Sequence, residues 1–252
     1  MLKLKSQGGG FTLAELLITV AIIGIIGALV IPSMVDNYYK SFYLTAFKKK
    51  YKVFSDAVNL STLENGKTKY WDTSLTADNF FQKYFGDYIS LSECDDCWTS
   101  SYTNTTSTAS TTVSTGIAAN YTRYYLTTFT PNLVPTATYY TKDGATVGFS
   151  YGKSVTIKYN NVTYYSSEPI LYIYIDVNAD KSPNMYGYDR FVLQVFANEL
   201  TAYGEGLTDY GSKKFSDYCK DTISSTYERY RMKCGGWIVE NSWTYPEGYP
   251  GT

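Results

Sequence analysis

The chain opens on an apolar run that changes character twice before the sequence turns β-like. From Leu16 to Ile31 there is no charged residue, and Thr19 is the only polar side chain. Residues 11–35 span 25 positions, enough for an apolar helix to cross a bilayer with some tilt. One acid, Glu15, stands near the head of the run, where a carboxylate in an apolar span is costly and marks a functional position. Helical spacing then continues over residues 36–65. Tyr39, Phe42, Ala46, Val53, Ala57 and Leu60 recur at three- and four-residue steps, with a gap at Lys49-Lys50. Tyr43, Phe47, Tyr51, Phe54 and Val58 widen this stripe, and Lys40, Lys48, Lys49, Lys52 and Asp56 form the other face. The pattern predicts an amphipathic helix with one face for a partner surface. Asn65-Gly66 is its expected stop. A single helix over residues 11–64 would reach roughly 80 Å. Pro32 falls inside it and predicts a kink or a melted turn.

Beyond residue 65 the pattern weakens. Residues 78–85 read as a short helix ending at Gly86, and residues 99–116 as an exposed Ser/Thr-rich loop with almost no apolar anchor. That loop is a solvated insertion, or a glycosylated or partner-binding one. From Ala118 onward strands are expected at residues 121–129, 145–149, 154–159, 162–165, 170–175 and 190–196. Asn160-Asn161 reads as a hairpin turn. Leu171, Ile173 and Ile175 alternate with Tyr172 and Tyr174, so one face of that strand should meet the helix and the other be amphipathic. The expected architecture is α+β: a long N-terminal helix, half transmembrane and half amphipathic, packed on an antiparallel sheet.

Composition narrows the chemistry. The chain has 252 residues and a formal charge of −1, which gives no electrostatic reason to expect nucleic-acid binding. It has no histidine, which removes the histidine-dependent triads and most zinc-site types. Four cysteines, an even count, fit two disulfides if the chain is exported. Cys94 and Cys97 form a CxxC flanked by acids, which disfavour a reactive thiolate. A structural disulfide, local or to another cysteine, is the stronger reading; a redox pair and a four-cysteine zinc site are the alternatives. Cys219 and Cys234 frame what reads as a disulfide-closed C-terminal loop, and closing about 15 residues contributes about 3 kcal/mol. The 28 tyrosines suit half-buried strands, or stacking on sugars or a partner. No carboxylate pair stands out as an acid/base couple.

The N-terminus rules out two simpler accounts. In an ordinary secretory signal the small-residue cleavage site follows the apolar region, whereas here Gly8-Gly9-Gly10 precede it. An ordinary signal anchor gives Gly10 and Glu15 no role. A short basic leader with Lys3 and Lys5, then Gly10, Phe11, Thr-Leu-x-Glu and a long apolar helix resembles the class III signal of type IV pilins and type II secretion pseudopilins. The likeness covers about the first quarter of the chain. It implies cleavage between Gly10 and Phe11 by a membrane prepilin peptidase and N-methylation of Phe11. It further implies that Glu15 pairs with a neighbouring subunit's N-terminal amine, and that Pro32 keeps flexibility for assembly. It also implies a pilin-like roll, and it likens the Cys219–Cys234 loop to the pilin D-region. Removing residues 1–10 takes the formal charge from −1 to −3. The leader lysines suit the cytoplasmic side, leaving the head of residues 66–252 in the periplasm or outside.

One internal stretch invites a ligand. Asp176, Asn178, Asp180 and Asp189 could converge on calcium, although neither the glycine nor the closing glutamate of an EF-hand is present. Some pseudopilins carry a calcium site in a late loop. The plainer reading is a loop whose Asx side chains cap turns. The expected function is structural rather than enzymatic: a minor or pilin-like subunit of a pilus or secretion pseudopilus, in a single-pass inner-membrane form before assembly. Its expected partners are other subunits, the prepilin peptidase, the inner-membrane assembly platform and the bilayer. The alternative is a membrane-anchored exported enzyme or ligand-binding receptor that borrows this signal.

Overall fold

The computed structural model describes residues 10, 12–94, 97–98, 125–126, 135, 137–152, 155–159, 162–166, 170–179, 181, 183–205, 219 and 231–245. Two compact units are present, one ending at Ser41 and one starting at Phe42. The helix α1 runs Leu13–Asn65 without interruption, so Pro32 melts no turn. Its ring deletes one hydrogen bond, and the neighbouring turns keep theirs. The helix ends where Asn65-Gly66 predicts, with Gly66 at φ 77° in the left-handed conformation that stops a helix. In the N-terminal unit the apolar side chains are exposed, Leu13 at 77% and Leu29 at 75%. This is the one described helix long and apolar enough to cross a membrane.

The second unit is α+β. After α1 come a 3-10 turn at Thr68–Tyr70 and α2 at Ala77–Phe85, capped by the Thr76 side chain, which accepts from Asn79 N. The strands are β1 (Leu91–Glu93), β2 (Tyr125–Leu126), β3 (Ala137–Thr141), β4 (Thr146–Gly152), β5 (Val155–Tyr159), β6 (Val162–Ser166), β7 (Ile170–Asp176), β8 (Arg190–Phe196) and β9 (Glu199–Ala202). A helix α3 follows at Cys234–Glu240. The main sheet has six strands in the order β1-β3-β4-β7-β8-β9, with every neighbouring pair antiparallel. The expected hairpin about Asn160-Asn161 pairs β5 with β6, but in a separate three-stranded sheet with β2. The Ser/Thr-rich loop at 99–116 lies outside the described residues.

Two features depart from expectation. First, the stripe of α1 that enters the core is Tyr43, Phe47, Lys50, Phe54, Ala57, Val58 and Ser61. Phe42, Val53 and Leu60 point outward, at 47%, 38% and 48% exposure. Both sides of this helix are apolar enough to satisfy a helical period, and the sheet selects the side whose rings interlock with its own. Phe47 stacks on Phe191 with centroids 3.9 Å apart, and Phe54 meets Phe149 edge-on at 6.1 Å.

Second, the tyrosine face of β7 is not amphipathic but fully buried. Leu171, Ile173 and Ile175 join the core beneath α1, while Ile170, Tyr172 and Tyr174 join a second core with Trp98, Tyr186, Val192, Tyr203 and Met232. A phenol tolerates this where its hydroxyl finds a partner: Tyr174 and Ser150 share a hydrogen bond of 2.9 Å. Burial pushes the Tyr172 and Tyr174 phenols above their ordinary value.

Candidate assembly segment

The first described turn of α1 explains part of the Thr-Leu-x-Glu pattern by itself. Thr12 N–H donates to Glu15 Oε2 at 2.8 Å, and Glu15 N–H donates to Thr12 Oγ1 at 3.3 Å. Thr12 Oγ1 also donates to Glu15 Oε2 at 2.8 Å. This is a capping box: residues three apart at a helix start satisfy each other's free amide hydrogens. It also places a carboxylate at the positive end of the helix dipole. Glu15 therefore has a local role in starting α1, in addition to any role toward a neighbour. The pattern was legible as a capping box, since Thr-x-x-Glu before an apolar run is that signature.

Gly10 is exposed, and a Cβ built there meets nothing within 4 Å. Among the described residues nothing packs against this position. Phe11 lies outside the described residues. Pro32 sits inside the uninterrupted helix, and Thr19 Oγ1 donates to Leu16 O at 2.8 Å, so the one hydroxyl of the run is satisfied within its own helix.

The late loop uses its acids internally. Asp176, on the last position of β7, accepts from Arg190 Nε at 2.7 Å and from Asn178 N at 3.3 Å. Asp189 accepts from Met185 N at 2.6 Å and from Asn184 N at 2.8 Å. Asn178 Nδ2 donates to Lys181 O at 3.0 Å and to the Tyr43 hydroxyl at 3.2 Å, tying the loop to α1. Asp180 lies outside the described residues. The oxygens a cation would need at Asp176 and Asp189 are taken by a guanidinium and by backbone amides. Among the described residues no group of three or more His, Cys, Asp or Glu side chains is arranged to hold a metal. Burial pushes the Asp176 carboxyl up to about 7, and the Arg190 charge opposes that shift. Burial likewise raises Asp189, against the two backbone amides that hold it.

The cysteines pair locally, Cys94 with Cys97 and Cys219 with Cys234. Residues 220–230 of the loop they close lie outside the described residues; from Cys234 the chain forms α3, and the glycines around it are packing devices. A Cβ on Gly236 would stand 2.0 Å from Glu205 N, and one on Gly204 would stand 2.2 Å from Lys233 O. Gly236 N–H donates to Tyr203 O at 3.1 Å. The backbone of α3 is therefore seated directly on the chain leaving β9.

One charged group escapes any sequence reading. Lys50 lies in the buried stripe of α1 at 6% exposure and is paired with Asp143 in the β3–β4 turn. Asp143 also accepts from Lys49 at 2.8 Å and from Thr141 Oγ1 at 2.7 Å. Burial alone would raise the Asp143 carboxyl, but hydrogen bonds from Lys49, Lys50 and Thr141 hold it well below the ordinary carboxylate range. Lys50 is lowered by burial, which outweighs the opposing pull of Asp143. Compared with protein-family profiles, with curated proteins and with solved structures, the chain matches none.

Proposed function

We propose that the chain is a filament subunit, minor or pilin-like, of a type IV pilus or a type II secretion pseudopilus. A prepilin peptidase cuts between Gly10 and Phe11, Phe11 is N-methylated, and the apolar half of α1 holds the subunit in the inner membrane with its head in the periplasm. Assembly then moves that half into a bundle of like helices, with the roll-like head outward.

The observation that carries this reading is the first turn of α1. A helical segment whose large apolar side chains are exposed from Leu13 to Val35 needs an apolar surrounding, and it begins with one carboxylate already engaged by Thr12. In a bilayer or helical bundle that charge requires a cation, and a neighbour's new N-terminal amine supplies one. Gly10 fits the reading because a small residue stands where the resemblance puts the cut, and among the described residues nothing crowds it.

The capping box sharpens the test. Glu15→Ala removes both the cap and the charge, whereas Glu15→Gln keeps a side chain that can reach back to Thr12 N–H and loses only the charge. Both variants are expected to be processed to mature size and to be missing from sheared filaments. Filament incorporation of Glu15→Gln at the wild-type level would remove charge pairing from the mechanism. Gly10→Glu is expected to leave the precursor uncut, and a mature-sized band would refute the assigned cleavage point.

A further inference from the structure

The Lys50–Asp143 pair forms one wall of an open cleft of ≈ 320 Å³ on the head, between α1, the segment joining α2 to β1, and the β3–β4 turn. Three lysines line it, Lys49, Lys50 and Lys142, against a single acid, Asp143. Its remaining walls include Val53, Phe54, Ile89 and Leu91. Asp143 is already shared between Lys49 and Lys50, and Lys142 has no ion-pair partner among the described residues. The cleft thus holds two ammonium charges more than its carboxylate neutralises. A net positive charge on a concave surface beside apolar walls favours an anion from solution. The turn closes without help from the Lys142 side chain, because Thr141 N donates to Ala145 O at 2.9 Å and Gly144 N donates to Thr141 O at 3.0 Å.

We propose that this cleft binds an organic anion, with a carboxylate or phosphate head between Lys49 and Lys142 and an apolar body against Val53, Ile89 and Leu91. Asp143 keeps Lys50 in place, and the ligand's charge meets the two outer lysines. The apolar walls separate this class from inorganic ions, which would gain nothing from them. Anion binding in this cleft does not depend on filament assembly.

The test uses the full chain in detergent micelles and reads the rate of reductive methylation at each lysine by mass spectrometry. Phenyl phosphate and benzoate are the probes, with inorganic phosphate and benzyl alcohol as partial mimics that lack the body or the charge. Lys52, 74% exposed and paired with Asp56 on the same helix, is the control position. At saturation the organic anions should slow modification of Lys49 and Lys142 at least fivefold and leave Lys52 unchanged. The probe that acts at the lower concentration identifies the head group. In Lys142→Gln the concentration needed to protect Lys49 should rise about tenfold, the loss of one charge-assisted contact. Equal slowing at Lys52, inorganic phosphate acting at the same concentration as phenyl phosphate, or no protection at all would each overturn the proposal.

Discussion

Replacing Asp143 by Asn deletes the carboxylate that holds Lys50 inside the apolar stripe of α1 and preserves the shape of the turn. Lys50 is 6% exposed, so in the variant its ammonium is left without an opposite charge beside Phe54 and Val53. Stranding one member of a fully buried pair costs about 3–5 kcal/mol. Here the Asp143 side chain is 38% exposed, so water already screens the pair, and the expected loss falls to about 1–2 kcal/mol. Lys50→Met should behave differently. It removes the charge that needs a partner and leaves an unbranched chain of similar length among apolar neighbours, so it should change stability by less than about 1 kcal/mol. The double variant should lie close to Lys50→Met, which gives a coupling energy of about 1–2 kcal/mol. The assay is urea unfolding of the full chain in micelles, followed by tryptophan fluorescence and near-ultraviolet dichroism. In a thermal scan the Asp143→Asn loss corresponds to a Tm lower by about 2–8 °C. An Asp143→Asn protein as stable as wild type, together with a Lys50→Met protein more than about 1 kcal/mol weaker, would refute the reasoning. Lys50 would then act through its methylene stem and not as a charge in need of Asp143. The same geometry sets a pH dependence. The folded carboxyl is held below its unfolded value near 3.9, so its contribution is complete above that value and is lost as pH falls toward the folded one. The difference between wild type and Asp143→Asn should therefore be constant from pH 6 to about pH 5 and shrink below about pH 4.

Three further substitutions probe other joints of the head. Arg190→Met leaves Asp176 buried without its cation, and burial already raises that carboxyl. The wild-type carboxyl is already raised to about 7, so both proteins hold it protonated below about pH 6; the variant's deficit should be constant there and grow only above about pH 7, by about 1 kcal/mol at pH 8, read from urea midpoints from pH 5 to pH 8. Gly236→Ala forces a methyl to within 2.0 Å of Glu205 N, a backbone atom that cannot rotate away, and should cost about 3 kcal/mol or more in the same unfolding assay. Ala197 and Asn198 close the β8–β9 hairpin with φ of 52° and 69°, a two-residue turn that favours glycine. Ala197→Gly should raise stability by about 0.5–1 kcal/mol, because relief of the left-handed strain exceeds the added chain entropy, and an unchanged urea midpoint would count against that balance.

Much of the architecture follows from period and punctuation. The apolar run gives α1, Asn65-Gly66 gives its end, and the strand at 190–196 matches its expected bounds. What stays hidden has a common cause: the deciding partner is far away in sequence. Phe42 and Phe47 look equally fit for the core until β8 supplies Phe191 as a stacking surface for one of them. Lys50 reads as a break in the stripe because Asp143, 93 residues further on, cannot be foreseen as its partner. Tyr172 and Tyr174 read as a wetted face because tyrosine suits both water and a core, and only the sheet's second layer decides. The strand β3, Ala137–Thr141, carries too little apolar alternation to stand out, and its pairing with β4 places it.

The N-terminal segment inverts this relation between sequence and fold. In the head, each unusual residue acquires a cause inside the structure: Gly236 is crowded by Glu205, Lys50 is held by Asp143, and Asp176 answers Arg190. At the N-terminus the pattern is specific, and among the described residues the internal causes are few. Thr12 and Glu15 account for each other through the capping box, but a capping box needs neither a glycine two residues before it nor an apolar helix exposed on every side after it. An exposed apolar helix is unstable in water unless a bilayer or other helices cover it. A membrane alone supplies that cover and leaves Glu15 as an uncompensated cost, whereas the proposed bundle of like helices would supply the cover and, through cleaved N-termini, a cation for each carboxylate. The difference between those two surroundings is the charge that Glu15→Gln removes while its cap remains, which is why that substitution, rather than Glu15→Ala, separates an anchored protein from a filament subunit.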